Sequence, residues 1–286
     1  MQTCHQIEAL RAQVATWRHA GARIAFVPTM GNLHRGHLFL VEEANRLAAH
    51  SVVSIFVNPL QFGPNEDFQT YPRTLEADRR QLKRVGPDLL FVPSAAVMYP
   101  RGTVGMTRVE VPGLSALLCG ASRPGHFAGM ATVVTKLLNI VQPDVALFGE
   151  KDWQQLVIIR RLVADLNLPV TIAGVPTVRE SDGLAMSSRN QYLSASEREM
   201  APLLYAMLQR AAAQLIAGDC NYQAIEATAR EALTEAGWRP DYFTIRRAED
   251  LGEPGQEDTG LRILAAAWLG RARLIDNCPV TLPQIR

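Results

Sequence analysis

The feature that most narrows the possible folds is an alternation running through the first 175 residues. Five short, almost uninterrupted apolar runs lie at Ile24–Val27, Ser51–Val57, Asp88–Val92, Val145–Phe148 and Val170–Val175. Between them, apolar residues recur every three or four positions: Leu38, Val41, Ala44 and Ala48 form one stripe, and Leu156, Ile159, Val163 and Leu166 another. A strand covered by helices on both faces needs apolar side chains on both, so it reads as a continuous run. A helix that packs on one face reads as a stripe. Strand and helix in turn imply right-handed crossovers. The expected fold class is therefore α/β, a Rossmann-like doubly wound parallel sheet.

Past residue 180 the texture changes. Ser194–Ala217 and Tyr222–Ala236 read as helices, the second ended by Gly237. Tyr242–Ile245, Arg262–Trp268 and Arg273–Ile275 read as strands, the last two joined across Leu269–Ala272. Helices followed by a small antiparallel sheet predict a smaller α+β domain. A length of 286 residues suits two domains, expected at 1–178 and 179–286. The segment before the first strand reads as an amphipathic helix without the apolar core or cleavage site of a signal peptide.

Composition excludes several classes of function. With 29 basic against 28 acidic residues, the chain lacks the basic excess of a protein held to nucleic acid by phosphate contacts. A local basic pocket for a small polyanion stays open. The longest stretch without Asp, Glu, Lys or Arg, Leu47–Asn65, is broken by His50, Asn58, Pro59, Gln61 and Pro64. It is not the apolar span of about 18 residues that a membrane helix needs. Cys4, Cys119, Cys220 and Cys278 are far apart and form no C-x-x-C pair, which suits a reducing compartment. A cytoplasmic protein without nucleic-acid or membrane partners is expected.

The segment Val27-Pro-Thr-Met-Gly-Asn-Leu-His-Arg-Gly-His37 follows the first predicted strand and opens the Leu38 helix. Gly31 and Gly36 allow tight turning and close approach of a ligand. His34 and His37 stand at the helix start, where unpaired N–H groups and the helix dipole already favour an anion. A triphosphate is the natural occupant. Either histidine taken alone also suits a plain polar residue at a helix start, and a metal site lacks a nearby carboxylate or third histidine. The segment is not a P-loop, because Gly36-His37-Leu38 stands where Gly-Lys-Ser/Thr is required. No G-x-G-x-x-G follows the first strand, which disfavours a dinucleotide.

Two more segments carry cations or hydroxyls. Phe148-Gly-Glu-Lys-Asp-Trp153 joins a strand end to a helix start, and Lys151 reads equally as a solvated lysine or as a group at the ligand-binding sheet edge. Asp182-Gly-Leu-Ala-Met-Ser-Ser-Arg-Asn190 offers Ser187, Ser188 and Arg189 to phosphate oxygens. Gln61 and Gln155 suit a small polar substrate. Asp78 and Gln81, three apart on a predicted helix, suit a solvated face better than a magnesium ion approached through water.

Six motifs together are similar to those of the pantoate–β-alanine ligase family, in the same order. They are Pro28–His37, Ser54-Ile-Phe-Val-Asn-Pro-Leu-Gln-Phe62, Tyr71-Pro-Arg-Thr74, Arg123-Pro-Gly-His-Phe-Ala-Gly129, Phe148–Asp152 and Asp182–Asn190. The match runs from about residue 20 to the C-terminus. Leu60 stands where the family more often has Met, and Met130 where it often has Val; neither change alters a polar group.

The resemblance implies the H-x-G-H nucleotidyltransferase type of fold and a two-step ligation. Pantoate would attack ATP to give pantoyl adenylate and pyrophosphate, and β-alanine would then displace AMP. It implies an ATP site lined by Met30, Gly31, Asn32, Leu33, His34, Arg35, Gly36, His37, Gly149, Glu150, Lys151, Asp152, Val178, Met186, Ser187, Ser188 and Arg189. His34, His37, Lys151, Ser187, Ser188 and Arg189 would be the catalytic set, with His37 the proton donor. Gln61 and Gln155 would bind pantoate, and Gln61 would also lie near β-alanine. It further implies Mg2+ on the phosphates, a C-terminal lid and a homodimer; Asp78 and Gln81 are the candidate magnesium neighbours on spacing alone. A nucleotidyltransferase that stops after adenylyl transfer has no reason to keep Gln61 together with Arg123–His126. A non-catalytic nucleotide sensor has none to keep His34, His37, Lys151 and Arg189.

Overall fold

The computed structural model describes residues 1–63, 66, 68–255 and 257–283. Among the described residues the larger sheet has six strands: β1 (Gln2–Cys4), β2 (Ile24–Thr29), β3 (His50–Ile55), β4 (Leu89–Phe91), β5 (Val145–Gly149) and β6 (Thr171–Val175). All pair in parallel, in the order β1-β4-β3-β2-β5-β6. From β2 the chain builds outward through β3 and β4, then returns to place β5 on the other side of β2. The carboxyl ends of β2 and β5 thus flank the switch point, where open α/β sheets hold ligands. The helices in this part are α1 (Ile7–His19), α2 (Arg35–Leu47), α3 (Leu75–Val85), α4 (Ala95–Met98), α5 (Cys119–Ser122), α6 (His126–Val141) and α7 (Trp153–Asp165).

The chain divides into two compact units, Met1–Glu150 with Ile158–Pro176, and Lys151–Val157 with the residues from Thr177 onward. In the first, Ala25, Val27, Val53, Leu90 and Leu147 of the sheet pack with Val41 and Ala44 of α2 and Leu82 of α3. Each such fully buried Val or Leu contributes about 1.5–3 kcal/mol. The predicted strands are all present, and β1 is an addition. The expected N-terminal helix is preceded by these three residues, whose register is Gln2↔Leu89 to Cys4↔Phe91. A strand so short carries no alternation to be read.

The second unit holds α8 (Ala195–Met200), α9 (Leu203–Ile216), α10 (Tyr222–Glu235), β7 (Arg239–Arg247), β8 (Gly260–Leu269) and β9 (Ala272–Thr281). The three strands form an antiparallel sheet in the order β7-β8-β9. Leu208 and Leu215 of α9 and Ile225 and Leu233 of α10 pack with Phe243, Ile263 and Leu274 of the sheet. The single helix expected over Ser194–Ala217 is two. Pro202 interrupts it, since proline has no N–H to continue the ladder, and α9 starts from that residue. Ser194 and Glu197 close a reciprocal cap on α8. No helix among the described residues is long and apolar enough to cross a membrane.

Candidate functional site

In the first unit the site begins where β2 ends. Gly31 has φ +81° and Asn32 φ +51°, so the chain reverses through two left-handed residues before entering α2. A side chain at Gly31 would press to 3.1 Å on both Asp78 Oδ2 and Ile55 Cγ2. Asp78 is what holds this turn. Its Oδ2 accepts the Asn32 N–H at 3.0 Å, its Oδ1 the Leu33 N–H at 2.8 Å, and the Thr74 hydroxyl donates to Oδ1 at 3.2 Å. Gln81 donates to the Leu33 carbonyl at 3.1 Å. Asp78 is 1% exposed, so its reading as part of a solvated helix face is overturned. The pattern of α3 places both residues on one side; only the turn from another strand shows that this side is covered.

His34 caps α2. Its Nδ1 accepts the Gly36 N–H at 3.2 Å, and His37 Nδ1 accepts the His34 N–H at 3.3 Å. The two rings lie 4.1 Å apart. A ring nitrogen that accepts from the backbone carries no proton. The backbone therefore assigns both neutral imidazoles the tautomer with hydrogen on Nε2. Two imidazole donors and a helix N-terminus thus share one place, an arrangement suited to phosphate oxygens. The Arg35 side chain is exposed and pairs with Glu42 at 2.6 Å, on the helix surface.

The carboxyl end of β3 leads into Asn58 and a short 3₁₀ turn, Pro59–Gln61. Gln61, 7% exposed, donates from Nε2 to Met30 Sδ at 3.2 Å, so two residues expected at the site do meet. Around them stand groups to which the sequence reading gave no individual role. Asn58 donates to Gln61 Oε1 at 3.0 Å and to the Gly129 carbonyl at 3.1 Å. Tyr99 donates to Asn58 Oδ1 at 2.6 Å. His126 Nδ1 lies 2.7 Å from the Gln61 carbonyl, and Arg123 bridges His126 Nε2 at 3.0 Å and both carboxylate oxygens of Glu66. Burial alone would raise the Glu66 carboxyl, but the hydrogen bond and charge of Arg123, with His126, bring it below its ordinary value. The motif Arg123–Gly129 was the signal for these residues. Asn58 lay inside another quoted motif, and nothing in the sequence marked Tyr99.

Gly149 and Glu150 close β5 in the first unit, while Lys151 begins the second. There, the Lys151 side chain is 19% exposed with its ammonium 3.5 Å from Asp152. Its carbonyl accepts from Asn277 Nδ2 at 2.9 Å, and Arg262 Nε donates to Asn277 Oδ1 at 2.6 Å. Arg262 also stacks 3.6 Å over the Trp153 ring. The preceding residue of β9, Asp276, takes two hydrogen bonds from Arg179, at 2.6 and 3.0 Å. Arg179 donates to the Gly183 carbonyl as well and lies 3.5 Å over the Tyr205 ring.

The loop from 178 to 190 folds back on itself, with Met186 N–H donating to the Val178 carbonyl at 3.0 Å. Ser187 starts the 3₁₀ turn Ser188–Tyr192, its hydroxyl oxygen accepting the Arg189 N–H at 3.2 Å. Lys151 is thus tied to Asn277 and Arg262, and the loop that carries Ser187–Arg189 is tied at Gly183 to Arg179 and through it to Asp276. Gln155 is half-buried on the first turns of α7. The sequence reading gave none of Arg179, Asp276, Asn277 and Arg262 a role at the site.

A dedicated metal centre does not fit these side chains. Among the described residues no group of three or more His, Cys, Asp or Glu is placed to hold an ion. Asp78, the one candidate carboxylate, already accepts three hydrogen bonds.

The family model for pantoate-beta-alanine ligase matches residues 2–279 of the chain. A pantothenate synthetase of Pseudomonas aeruginosa strain UCBPP-PA14 is 58% identical over 284 residues, covering 99% of this chain and 100% of that one. Among solved structures, a pantothenate synthetase of Thermus thermophilus superposes with a TM-score of 0.91 at 49% identity, covering 97% of this chain and 99% of its own. The pantoate-beta-alanine ligase of Francisella tularensis, complexed with beta-gamma ATP and beta-alanine, superposes with a TM-score of 0.77 at 36% identity, covering 97% of each chain.

Proposed function

The chain belongs to the pantoate–β-alanine ligase family, and from that membership we propose how its residues perform an ATP-dependent ligation in two steps. The carboxylate of pantoate attacks the α-phosphorus of ATP; the bond to the β-phosphate oxygen breaks and pyrophosphate leaves. The amine of β-alanine then attacks the carbonyl of pantoyl adenylate, AMP departs with the bonding pair, and the ammonium proton is released. The amide product is pantothenate.

The observation that carries this reading is the histidine pair at α2, both rings anchored through Nδ1 on backbone N–H groups. In-line nucleotidyl transfer requires no covalent enzyme group. It requires aligned reactants and donors placed where negative charge grows on the leaving pyrophosphate. Fixed Nε2–H donors meet that need without reorganising during the reaction. Asp78 maintains their position by holding the Gly31–Leu33 turn. His37 would donate its Nε2–H as a hydrogen bond to the departing phosphate, which leaves as the pyrophosphate anion.

Lys151, Ser187, Ser188 and Arg189 supply further positive charge and hydroxyl donors to the transferring group. Gln61 and Gln155 bind pantoate, and Gln61 contributes beside β-alanine. Met30–His37, Gly149–Asp152, Val178 and Met186–Arg189 surround the nucleotide, with the residues from 179 onward acting as a lid that keeps water from the acyl adenylate. Binding of ATP and β-alanine is supported by the complex of the Francisella tularensis relative.

Magnesium travels with the phosphates in this reading, because Asp78 and Gln81 are engaged by the turn. A cytoplasmic setting is supported by the scattered cysteines. The homodimer rests on the resemblance alone.

The test is exchange of labelled pyrophosphate into ATP. The protein should catalyse it with pantoate and without β-alanine. Exchange that needs no pantoate, or release of ADP in place of AMP during the full reaction, would refute the two-step scheme.

A further inference from the structure

Tyr99 lies outside every motif that drew attention to the site, yet it is 6% exposed and aims its hydroxyl at the least exposed amide near the nucleotide turn. That amide, Asn58, is 1% exposed and uses its full capacity. Oδ1 accepts from Tyr99 at 2.6 Å and from the Leu60 N–H at 3.3 Å; Nδ2 donates to Gln61 Oε1 at 3.0 Å and to the Gly129 carbonyl at 3.1 Å. A backbone N–H only donates and a carbonyl only accepts, so Leu60 and Gly129 decide which way the Asn58 amide faces. Asn58 must then donate to Gln61, and Gln61 must meet it with Oε1. The free choice of the Gln61 amide is removed: its NH2 turns toward Met30 and the end of β2.

We propose that Tyr99 is a positioning residue: it holds in place the Asn58 amide, whose facing Leu60 and Gly129 set, and so keeps Gln61 presenting N–H donors, not an acceptor, to an oxygen of the acid substrate. The proposal deepens the assignment of Gln61 to pantoate and rests on it. The chemistry is consistent: a carboxylate or hydroxyl oxygen is matched by an amide NH2, whereas an amide oxygen would repel a carboxylate. The hydroxyl is the closest of the four partners of Asn58 and cannot be replaced by water without opening the packing around it. Burial raises the Tyr99 phenol above its ordinary value, so it stays a donor at all working pH.

The experiment compares Tyr99→Phe, Asn58→Asp and Gln61→Ala with the parent enzyme in two readouts. The first is the side-chain NH2 resonance of Gln61 in protein labelled with ¹⁵N-glutamine, identified by its loss in Gln61→Ala. The second is steady-state KM for pantoate and for ATP. Tyr99→Phe keeps the ring and should move the Gln61 resonance. It should also raise the pantoate KM about tenfold, the size of one lost buried hydrogen bond, and leave the ATP KM in place. Asn58→Asp cannot donate to Gln61 at all and should raise the pantoate KM further.

A Gln61 resonance unmoved in Tyr99→Phe overturns the proposal, as does an equal rise in both KM values with a parallel fall in Tm. If Gln61→Ala raises the pantoate KM and Tyr99→Phe does not, the positioning role is again overturned. If Gln61→Ala itself leaves the pantoate KM alone, it is the assignment of Gln61 to pantoate that fails.

Discussion

At the scale of single residues, the site is a set of polar side chains whose orientation is decided by backbone partners. His34 and His37 illustrate it: their Nδ1 atoms are occupied by N–H groups of their own turn. The tautomer is therefore local in origin, and the H-x-G-H spacing that produces it was legible in the sequence. Lys151 is the opposite case. Its identity stood out, but the hydrogen bond that steadies its backbone comes from Asn277, 126 positions away. Lys151→Ala removes the charge proposed to stabilise the transition state and leaves that backbone contact intact. It should lower kcat roughly 10²–10³-fold while Tm stays near the parent's. A steady-state assay beside a thermal melt checks this, and a variant with parental kcat removes Lys151 from its assigned role.

At the scale of elements, the contact between α6 and the turn Pro59–Gln61 decides whether the proposed pantoate side of the site can form. Gly129 is the reason they approach so closely, since a Cβ there would overlap the carbonyl of Leu60. The sequence motif Arg123–Gly129 contained this glycine without saying what it faces, because a helix pattern does not name the partner of a small residue. Gly129→Ala should push the turn away from α6 at a cost of about 1–3 kcal/mol, the usual range for overpacking. Chemical denaturation measures that cost. The same variant should lose pantoate affinity, because Asn58 bonds the Gly129 carbonyl. Unchanged stability and unchanged pantoate KM would show that the backbone there has slack. The long segment Ser194–Ala217 teaches a related lesson. Its apolar spacing continues through Pro202, but one missing N–H is enough to end a helix and begin another.

At the scale of the molecule, two cores are built from separate stretches of chain, and each carries part of the expected catalytic set. In the second unit the ion pair of Arg179 with Asp276 is buried, the Asp276 side chain being 3% exposed. Arg179→Ala leaves that carboxylate without its charge partner and should destabilise the unit by about 3–5 kcal/mol. Three of the four tryptophans, Trp153, Trp238 and Trp268, belong to this unit, so fluorescence during urea unfolding reports on it. An unshifted midpoint would mean that the pair is replaced without cost.

What the sequence by itself determined were the repeating and contiguous features. The buried parallel strands, the helix stripes, the histidine turn and the Ser187–Arg189 loop are legible because their physics acts within a few residues. What only the tertiary structure decided were the order of the strands and the partners: Asp78 bracing the histidine turn, Tyr99 behind Asn58, Gly129 beneath Leu60, and Asn277 on Lys151. These partners join segments from 41 to 126 residues apart. No local pattern encodes such a pairing, because a buried hydrogen bond is specified by the element that arrives from elsewhere to satisfy it.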